Sequence, residues 1–140
     1  MKNGILILLV LLSPLFGLCQ LINVKVYNIQ NFEHPLMKTD DAILLNKVTY
    51  LNAGNTDATF LFDLKENRFQ RTVEGINEVY PIKKVKMMGD ITEIDVDYGN
   101  GKIVNYLIKD DTEKIMFCRW VKDNKIRGWC DKNIEMKKEN

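Results

Sequence analysis

The sequence predicts a mainly β fold, an antiparallel meander of about eight strands that closes into a small barrel or folds into a sandwich. Runs of β-branched and aromatic residues alternate with short polar turns along the chain. Two of these turns, at residues 89–90 and 99–101, contain glycine, which accepts the positive φ that hairpin loops need. Consecutive hairpins leave exposed sheet edges, which closure hides. The predicted strands are residues 24–29, 58–64, 68–73, 80–88, 91–98, 102–108, 114–121 and 126–130.

The hairpin at residues 89–90 has glycine first, as a two-residue type II′ loop requires. This loop would place Lys86 opposite Glu93 and Lys84 opposite Asp95. Opposite charges that face each other across an antiparallel pair contribute about 0.2–1 kcal/mol each. These carboxylates are therefore interpreted as part of a solvated charge ladder rather than as a glycosidase pair or a calcium site.

The next hairpin has the three-residue loop 99–101, whose residues accept positive φ. A loop of this length would place Val96 opposite Val104 and Ile94 opposite Tyr106. One face of the pair is then apolar, as a half-buried sheet requires. The acidic stretch that leads into the loop does not match an EF-hand, because glycine stands at its fifth position instead of an oxygen ligand.

Residues 39–52 allow two interpretations. Thr39 could cap a short helix that Gly54 ends. The β-branched and aromatic residues 48–50 prefer a strand, and the strand around Phe60 needs a neighbour. We expect a strand near residues 47–51, with a short helix within residues 39–52 as the alternative.

The first 19 residues have the layout of a secretory signal peptide. Lys2 supplies the positive start, an apolar run follows at residues 5–12, and the run is too short for the roughly 20 residues of a membrane span. We predict cleavage after Cys19, a secreted or periplasmic location and no integral membrane span afterwards. Residues 20–140 would then form one β-rich domain, with a frayed tail at residues 136–140.

Cys19 also resembles the acylated cysteine of bacterial lipoproteins. The motif of those proteins has a small residue directly before the cysteine, whereas Leu18 occupies that position here. Lipid anchoring through Cys19 is therefore the alternative to release. Under either interpretation Cys19 lies outside the folded domain.

The charge balance argues against a nucleic-acid partner. The chain has 20 Lys and Arg against 19 Asp and Glu, and Lys2 is the one charged residue of the predicted signal peptide. The mature chain would be neutral, whereas nucleic-acid binding needs a basic face whose charge is not cancelled nearby. The sequence predicts no nucleic-acid partner.

Cys118 and Cys130 remain after cleavage, and an exported chain meets an oxidising compartment in which they can pair. Asp123 and Asn124 favour a turn between them. A two-residue loop would set Cys118 opposite Trp129, while a three-residue loop would set it opposite Cys130. Because a disulfide needs Cα atoms within about 7 Å, the sequence predicts the longer loop, or a nearby bulge, and a Cys118–Cys130 disulfide.

No enzyme signature stands out. His34, the single histidine, precedes Pro35 in a predicted loop and has no serine or cysteine motif attached. The chain also lacks a glycine-rich phosphate loop before a helix and a Gly-x-Ser-x-Gly element. We expect neither catalysis nor a cofactor, and a single histidine with two oxidised cysteines makes no metal site.

The plan of a signal peptide, a small β meander and a late disulfide resembles lipocalin-type barrels and also small periplasmic inhibitor domains. The resemblance is architectural, and a fold alone does not fix a function. Two hypotheses stay open, a module that binds a small apolar ligand and a domain that binds or inhibits another exported protein.

The two hypotheses assign the aromatic residues differently. A ligand module would line its cavity with aromatic side chains, while a protein-binding domain would expose aromatic and arginine side chains near the last hairpin. The candidate lining residues are Phe60, Phe62, Phe69, Tyr98, Tyr106 and Phe117. The candidate contact residues are Arg119, Trp120, Arg127 and Trp129.

Overall fold

The computed structural model describes residues 20–35 and 48–140, which form antiparallel strands without a helix. The predicted β class is therefore confirmed. The signal-peptide region and most of the alternative helix at residues 39–52 lie outside the described residues. The strands are β1 (Leu21–Pro35), β2 (Thr49–Asp63), β3 (Arg68–Val73), β4 (Ile76–Met88), β5 (Ile91–Asp97), β6 (Ile103–Asp110), β7 (Lys114–Lys122), β8 (Lys125–Asp131) and β9 (Glu135–Glu139).

Strands β1 to β8 close into a barrel. Each strand from β2 to β7 pairs with the next, β8 pairs with β1, and β1 pairs with β2. β9 is an additional strand that pairs with residues 21–25 of β1, while β8 pairs with residues 30–35. β8 and β9 thus share one side of β1, and closure removes the sheet edges that an open meander would leave.

Two glycine-containing hairpins have the predicted registers. Across the 89–90 turn, Lys86 pairs with Glu93, and Gly89 has a φ of 58°. Across the 99–101 loop, Val96 pairs with Val104 and Ile94 pairs with Tyr106. The register in turn determines which side chains enter the barrel, because successive residues of a strand face opposite sides.

The alternation produces two apolar clusters on opposite faces of the sheet. β5 shows it clearly, since Thr92, Ile94 and Val96 are buried and their neighbours are partly exposed. The inner cluster contains Ile22, Val24, Phe60, Phe62, Phe69, Tyr106, Met116 and Cys118 among others. The outer cluster contains Phe32, Leu107, Ile115, Phe117 and Cys130.

Residues 49–52 belong to β2, which begins at Thr49. The helical interpretation is therefore wrong for this part of the segment, and the strand interpretation is confirmed there. Tyr50 pairs with Phe32 of β1, which gives the β-branched stretch the partner that it needs. No helix in the described part of the chain has the length and apolarity to cross a membrane.

The predicted frayed tail is wrong, because residues 135–139 form β9. Met136 packs against the inner cluster, and the amino group of Lys138 lies 3.1 Å from a carboxylate oxygen of Asp110. The remaining side chains of β9 are charged and exposed, as protected edge strands commonly are. Charge here marks an edge strand rather than disorder.

The side chain of Asp131 stabilises the backbone where β8 ends next to β1. Its Oδ2 accepts the backbone N–H groups of Tyr27 and Asn28 at 2.9 and 3.1 Å, and its Oδ1 accepts that of Asn133 at 2.8 Å. The register of β1 against β2 shifts next to Tyr27. The buried carboxylate therefore supplies the hydrogen bonds that the interrupted β8–β9 segment does not.

The predicted three-residue loop and the Cys118–Cys130 disulfide are both corrected by the structure. Asp123 and Asn124 form a two-residue loop with φ of 52° and 59°, and Cys118 pairs with Trp129. The two cysteines are free and buried, Cys118 in the inner cluster and Cys130 in the outer one. Consecutive positions face opposite sides of the sheet, so this register separates the thiols.

Candidate ligand site at the barrel mouth

Four of the six predicted cavity residues occupy the barrel interior and contact one another. The ring centroids of Phe62 and Phe69 lie 5.3 and 5.0 Å from that of Tyr106, and the Phe60 centroid lies 5.8 Å away. All four side chains are almost completely buried. These spacings are those of packed aromatic rings, so the side chains occupy the space that a deep apolar ligand would need.

The other two predicted cavity residues lie elsewhere. Tyr98 lies above the interior, where its hydroxyl is 2.5 Å from that of Tyr106 and its ring stacks on Tyr80 at 4.1 Å. Phe117 lies on the outside of the barrel in an edge contact with Phe32, at 6.0 Å between centroids. The predicted lining set is therefore divided between the interior, one end and the outer face.

We call the end of the barrel that carries the turns at residues 74–75, 99–101 and 123–124 the mouth. The side chains that face inward at this end include aromatic and cationic groups, because β7 and β8 place Trp120 opposite Arg127. Trp129 lies one step deeper and contacts Phe60 at 5.5 Å between ring centroids. The two-residue loop thus brings three of the four predicted contact residues to the inner face.

Arg119, the fourth predicted contact residue, lies on the outer face and is buried. Its Nε donates to Asn105 at 2.7 Å, and its guanidinium lies 3.6 Å from Glu93. The amide nitrogen of Asn105 also donates to Glu93 and Asp95, at 3.0 and 2.7 Å. The acidic face of β5 is therefore tied to a buried arginine network, in addition to facing the predicted lysines of β4.

A cleft opens at the mouth between β6 and β7. These strands pair from Asp110↔Lys114 to Asn105↔Arg119, and their remaining residues diverge around a space of about 680 Å³. Residues that face into the barrel and residues that face outward both line this space. The space therefore passes through the gap between the two strands. This β6–β7 cleft is lined by Asn100, Gly101, Lys102, Ile103, Trp120, Val121 and Lys122.

Lys102 was missed by the sequence analysis, although the loop length could have identified its position. Alternation from Tyr106 through Val104 places Lys102 on the inner face of the sheet. Its amino nitrogen lies 5.3 Å from the Trp120 ring centroid and 5.6 Å from that of Tyr98. Such contacts hold a cation against aromatic faces at the entrance of the cleft.

Arg71 is a further cationic side chain at the mouth, and its charge is paired. It forms an ion pair with Glu78, and its guanidinium carbon lies 5.8 Å from the Tyr98 ring centroid. Burial raises the pKa of Tyr98 to about 12, and the charge of Arg71 acts in the opposite direction. Burial likewise raises the pKa of the Cys118 thiol to about 12, while Arg71 and Lys102 lower it. In both groups burial outweighs the nearby positive charges.

His34 lies in β1 and is buried, so the predicted loop position is wrong. Its ring is parallel to that of Phe32 at 6.1 Å, and Nδ1 donates to the Pro35 carbonyl oxygen at 2.9 Å. A second cleft of about 480 Å³ lies beside it, where Lys125 is 3.6 Å from Glu33. The imidazole is thus packed against a ring, and a neighbouring ion pair neutralises the charge of this cleft.

The described residues contain no group of three or more His, Cys, Asp or Glu side chains that could hold a metal ion. Comparison of the chain with protein-family models, curated proteins and solved structures found no match. The geometry of the barrel mouth is therefore the basis for inferring a function.

Proposed function

We propose that the protein is an exported binding module that holds a small ligand with apolar surface in the β6–β7 cleft. Trp120, Ile103 and Val121 offer apolar contacts there, and the volume of the cleft lies within the range of about 300–1,000 Å³ that is common for ligand sites. The proposal assigns binding rather than catalysis. Export rests on the signal-peptide pattern of the first 19 residues.

The packed interior is the main observation that supports a ligand site in the cleft instead of in the barrel centre. Because aromatic rings in mutual contact occupy the barrel centre, an apolar ligand would have to displace Phe60 or Tyr106 in order to bind deeply. Cores packed in this way resist added volume, and overpacking typically costs about 1–3 kcal/mol. The β6–β7 cleft avoids that cost, since it is open before the ligand arrives.

Tryptophan fluorescence tests the position of the ligand, because the chain contains two tryptophans with different environments. Trp120 lines the cleft, whereas Trp129 packs on Phe60. Decanol, decanoate and decyltrimethylammonium serve as probes below their micellar concentrations. We expect at least one probe to change the emission of the Trp129→Phe variant, which retains Trp120, and to leave that of Trp120→Phe unchanged. A response that follows Trp129 instead would place the ligand in the interior and contradict the proposal.

Exposed apolar residues at the mouth favour a second candidate, a domain that binds another exported protein through this end. Val121 is 59% exposed and Ile103 is 41% exposed, and they line the same cleft. A partner retained from the exported fraction by the wild-type protein should be lost with Val121→Asp and kept with Met88→Asp, an exposed control at the opposite end of β4. Equal retention by all three proteins would count against this candidate.

A further inference from the structure

We propose that the β6–β7 cleft selects anions, specifically a carboxylate attached to an apolar body, an inference that rests on the proposed function and specifies its ligand class. Lys102 and Lys122 would receive the carboxylate, while Trp120, Ile103 and Val121 would contact the apolar body.

The charges that line the cleft have one sign. Lys102 and Lys122 are its charged lining residues, and its other lining side chains are neutral. The cleft beside His34 differs, because Glu33 lies near Lys125 there. The small depression of about 90 Å³ on β4 and β5 is likewise mixed, with two lysines and two carboxylates. Of these three sites, the β6–β7 cleft is the one without a carboxylate in its lining.

The two lysines are also free to receive an anion. Within residues 20–35 and 48–140, neither Lys102 nor Lys122 forms an ion pair with an acidic side chain. Contacts with the rings of Trp120 and Tyr98 place Lys102 at the inner side of the cleft without neutralising it. A carboxylate near Lys102 would gain charge-assisted hydrogen bonds that these rings cannot supply.

The apolar lining explains why a simple inorganic anion would be a poor ligand. Trp120 faces the barrel, and the next residue along β7, Val121, faces outward, so apolar surface lies on both sides of the strand gap. A ligand with one charged end and an apolar body can contact both kinds of surface. Chloride or phosphate would leave the apolar lining in water and gain only screened attraction from exposed lysines.

Isothermal titration calorimetry with the three decyl probes tests the selection, because the probes share a chain and differ in the charge of the head group. We expect decanoate to bind at least about tenfold more tightly than decanol, and decyltrimethylammonium to bind most weakly. Lys102→Gln should weaken decanoate binding about fivefold and leave decanol binding unchanged, with Lys102→Arg close to wild type. Lys86→Gln, which removes the same charge from an exposed position on β4, serves as the matched control.

The possible results separate the two proposals. If none of the three probes binds, the proposed ligand function itself fails. If decanol binds as tightly as decanoate, or if Lys102→Gln and Lys86→Gln weaken decanoate binding equally, the function stands and anion selection is refuted. Circular dichroism melts of each variant show whether a loss of affinity reflects loss of fold, and Lys102→Arg then reports the role of the charge.

Discussion

Replacing Gly128 by alanine tests how closely β8 approaches β7. A Cβ at this position would overlap the carbonyl oxygen of Cys118 and would lie 2.9 Å from the Phe32 ring and 3.0 Å from the Arg119 Cα. Two of these three neighbours are backbone atoms, which cannot move aside as a flexible side chain does. The strand pair must therefore separate locally before the methyl group fits.

Two opposing effects determine how much Gly128→Ala changes the free energy of unfolding. Overpacking typically costs about 1–3 kcal/mol, and backbone displacement places Gly128→Ala near the upper end of that range. The substitution also removes conformational freedom from the unfolded chain, which stabilises a protein by about 0.4–1 kcal/mol where alanine fits. Gly54 supplies the matched control, because its added Cβ meets nothing within 4 Å and its φ is not positive. Because this entropic gain is common to both glycine variants, it cancels between them, and we expect Gly128→Ala to be about 2–3 kcal/mol less stable than Gly54→Ala.

Urea unfolding followed by circular dichroism measures this difference, and thermal melts should show a gap on the order of 10 °C for a domain of this size. Phe32→Leu removes only the side-chain contact, so adding it to Gly128→Ala should restore little of the lost stability. If the two glycine variants agree within about 0.5 kcal/mol, the close approach of β8 to β7 is wrong.

Three further predictions concern the thiols, a buried phenol and a buried carboxylate. Cys118 and Cys130 should react with a thiol reagent only after unfolding, and reductant should leave the melting temperature unchanged; a mass lower by two hydrogens would reveal a disulfide instead. Burial raises the pKa of Tyr98 from 10.0 to about 12, so its contribution to stability is present below pH 10 and lost as the pH rises towards 12. Tyr98→Phe should therefore flatten the fall of unfolding free energy over that interval, and an unchanged slope would contradict the burial of the hydroxyl. Asp131→Ala leaves three backbone N–H groups without their acceptor and should cost about 3 kcal/mol or more in urea unfolding, whereas exposed Asp57→Ala should cost less than about 0.5 kcal/mol.

Local sequence patterns predicted the parts of the fold that local chemistry determines. The glycine at position 89 and the 99–101 loop each limit the loop length, and loop length determines which residues pair. The alternation of β-branched residues with acidic residues then identified the buried face of β5. These features depend on residues close together in the chain, so they can be read without the tertiary structure.

The last hairpin was predicted wrongly because its sequence allows two loop lengths. The expected disulfide favoured the longer loop, whereas Asp123 and Asn124 both adopt the positive φ of a two-residue loop. This difference of one residue moves Cys130 to the outer face and Trp129 to the inner face. Trp129 was also a candidate for the binding surface, so the register determines where this candidate lies as well as whether the thiols can pair.

The β6–β7 cleft could not be predicted from the sequence, since it depends on where two strands stop pairing. Residues 102–108 were predicted as a strand, but no local pattern shows that pairing with β7 ends at Asn105. β9 was missed for a related reason, because its pairing with β1 joins opposite ends of the domain. Long-range pairing determines both features.

The position of the ligand is tested most directly by amide chemical-shift changes in ¹⁵N-labelled protein during titration with decanoate. We predict that the largest changes fall on residues 100–103 and 120–122, which line the β6–β7 cleft. Ile94 and Val96, which lie in the barrel interior, should change little. Large changes at those interior residues with an unperturbed cleft would contradict binding at the mouth.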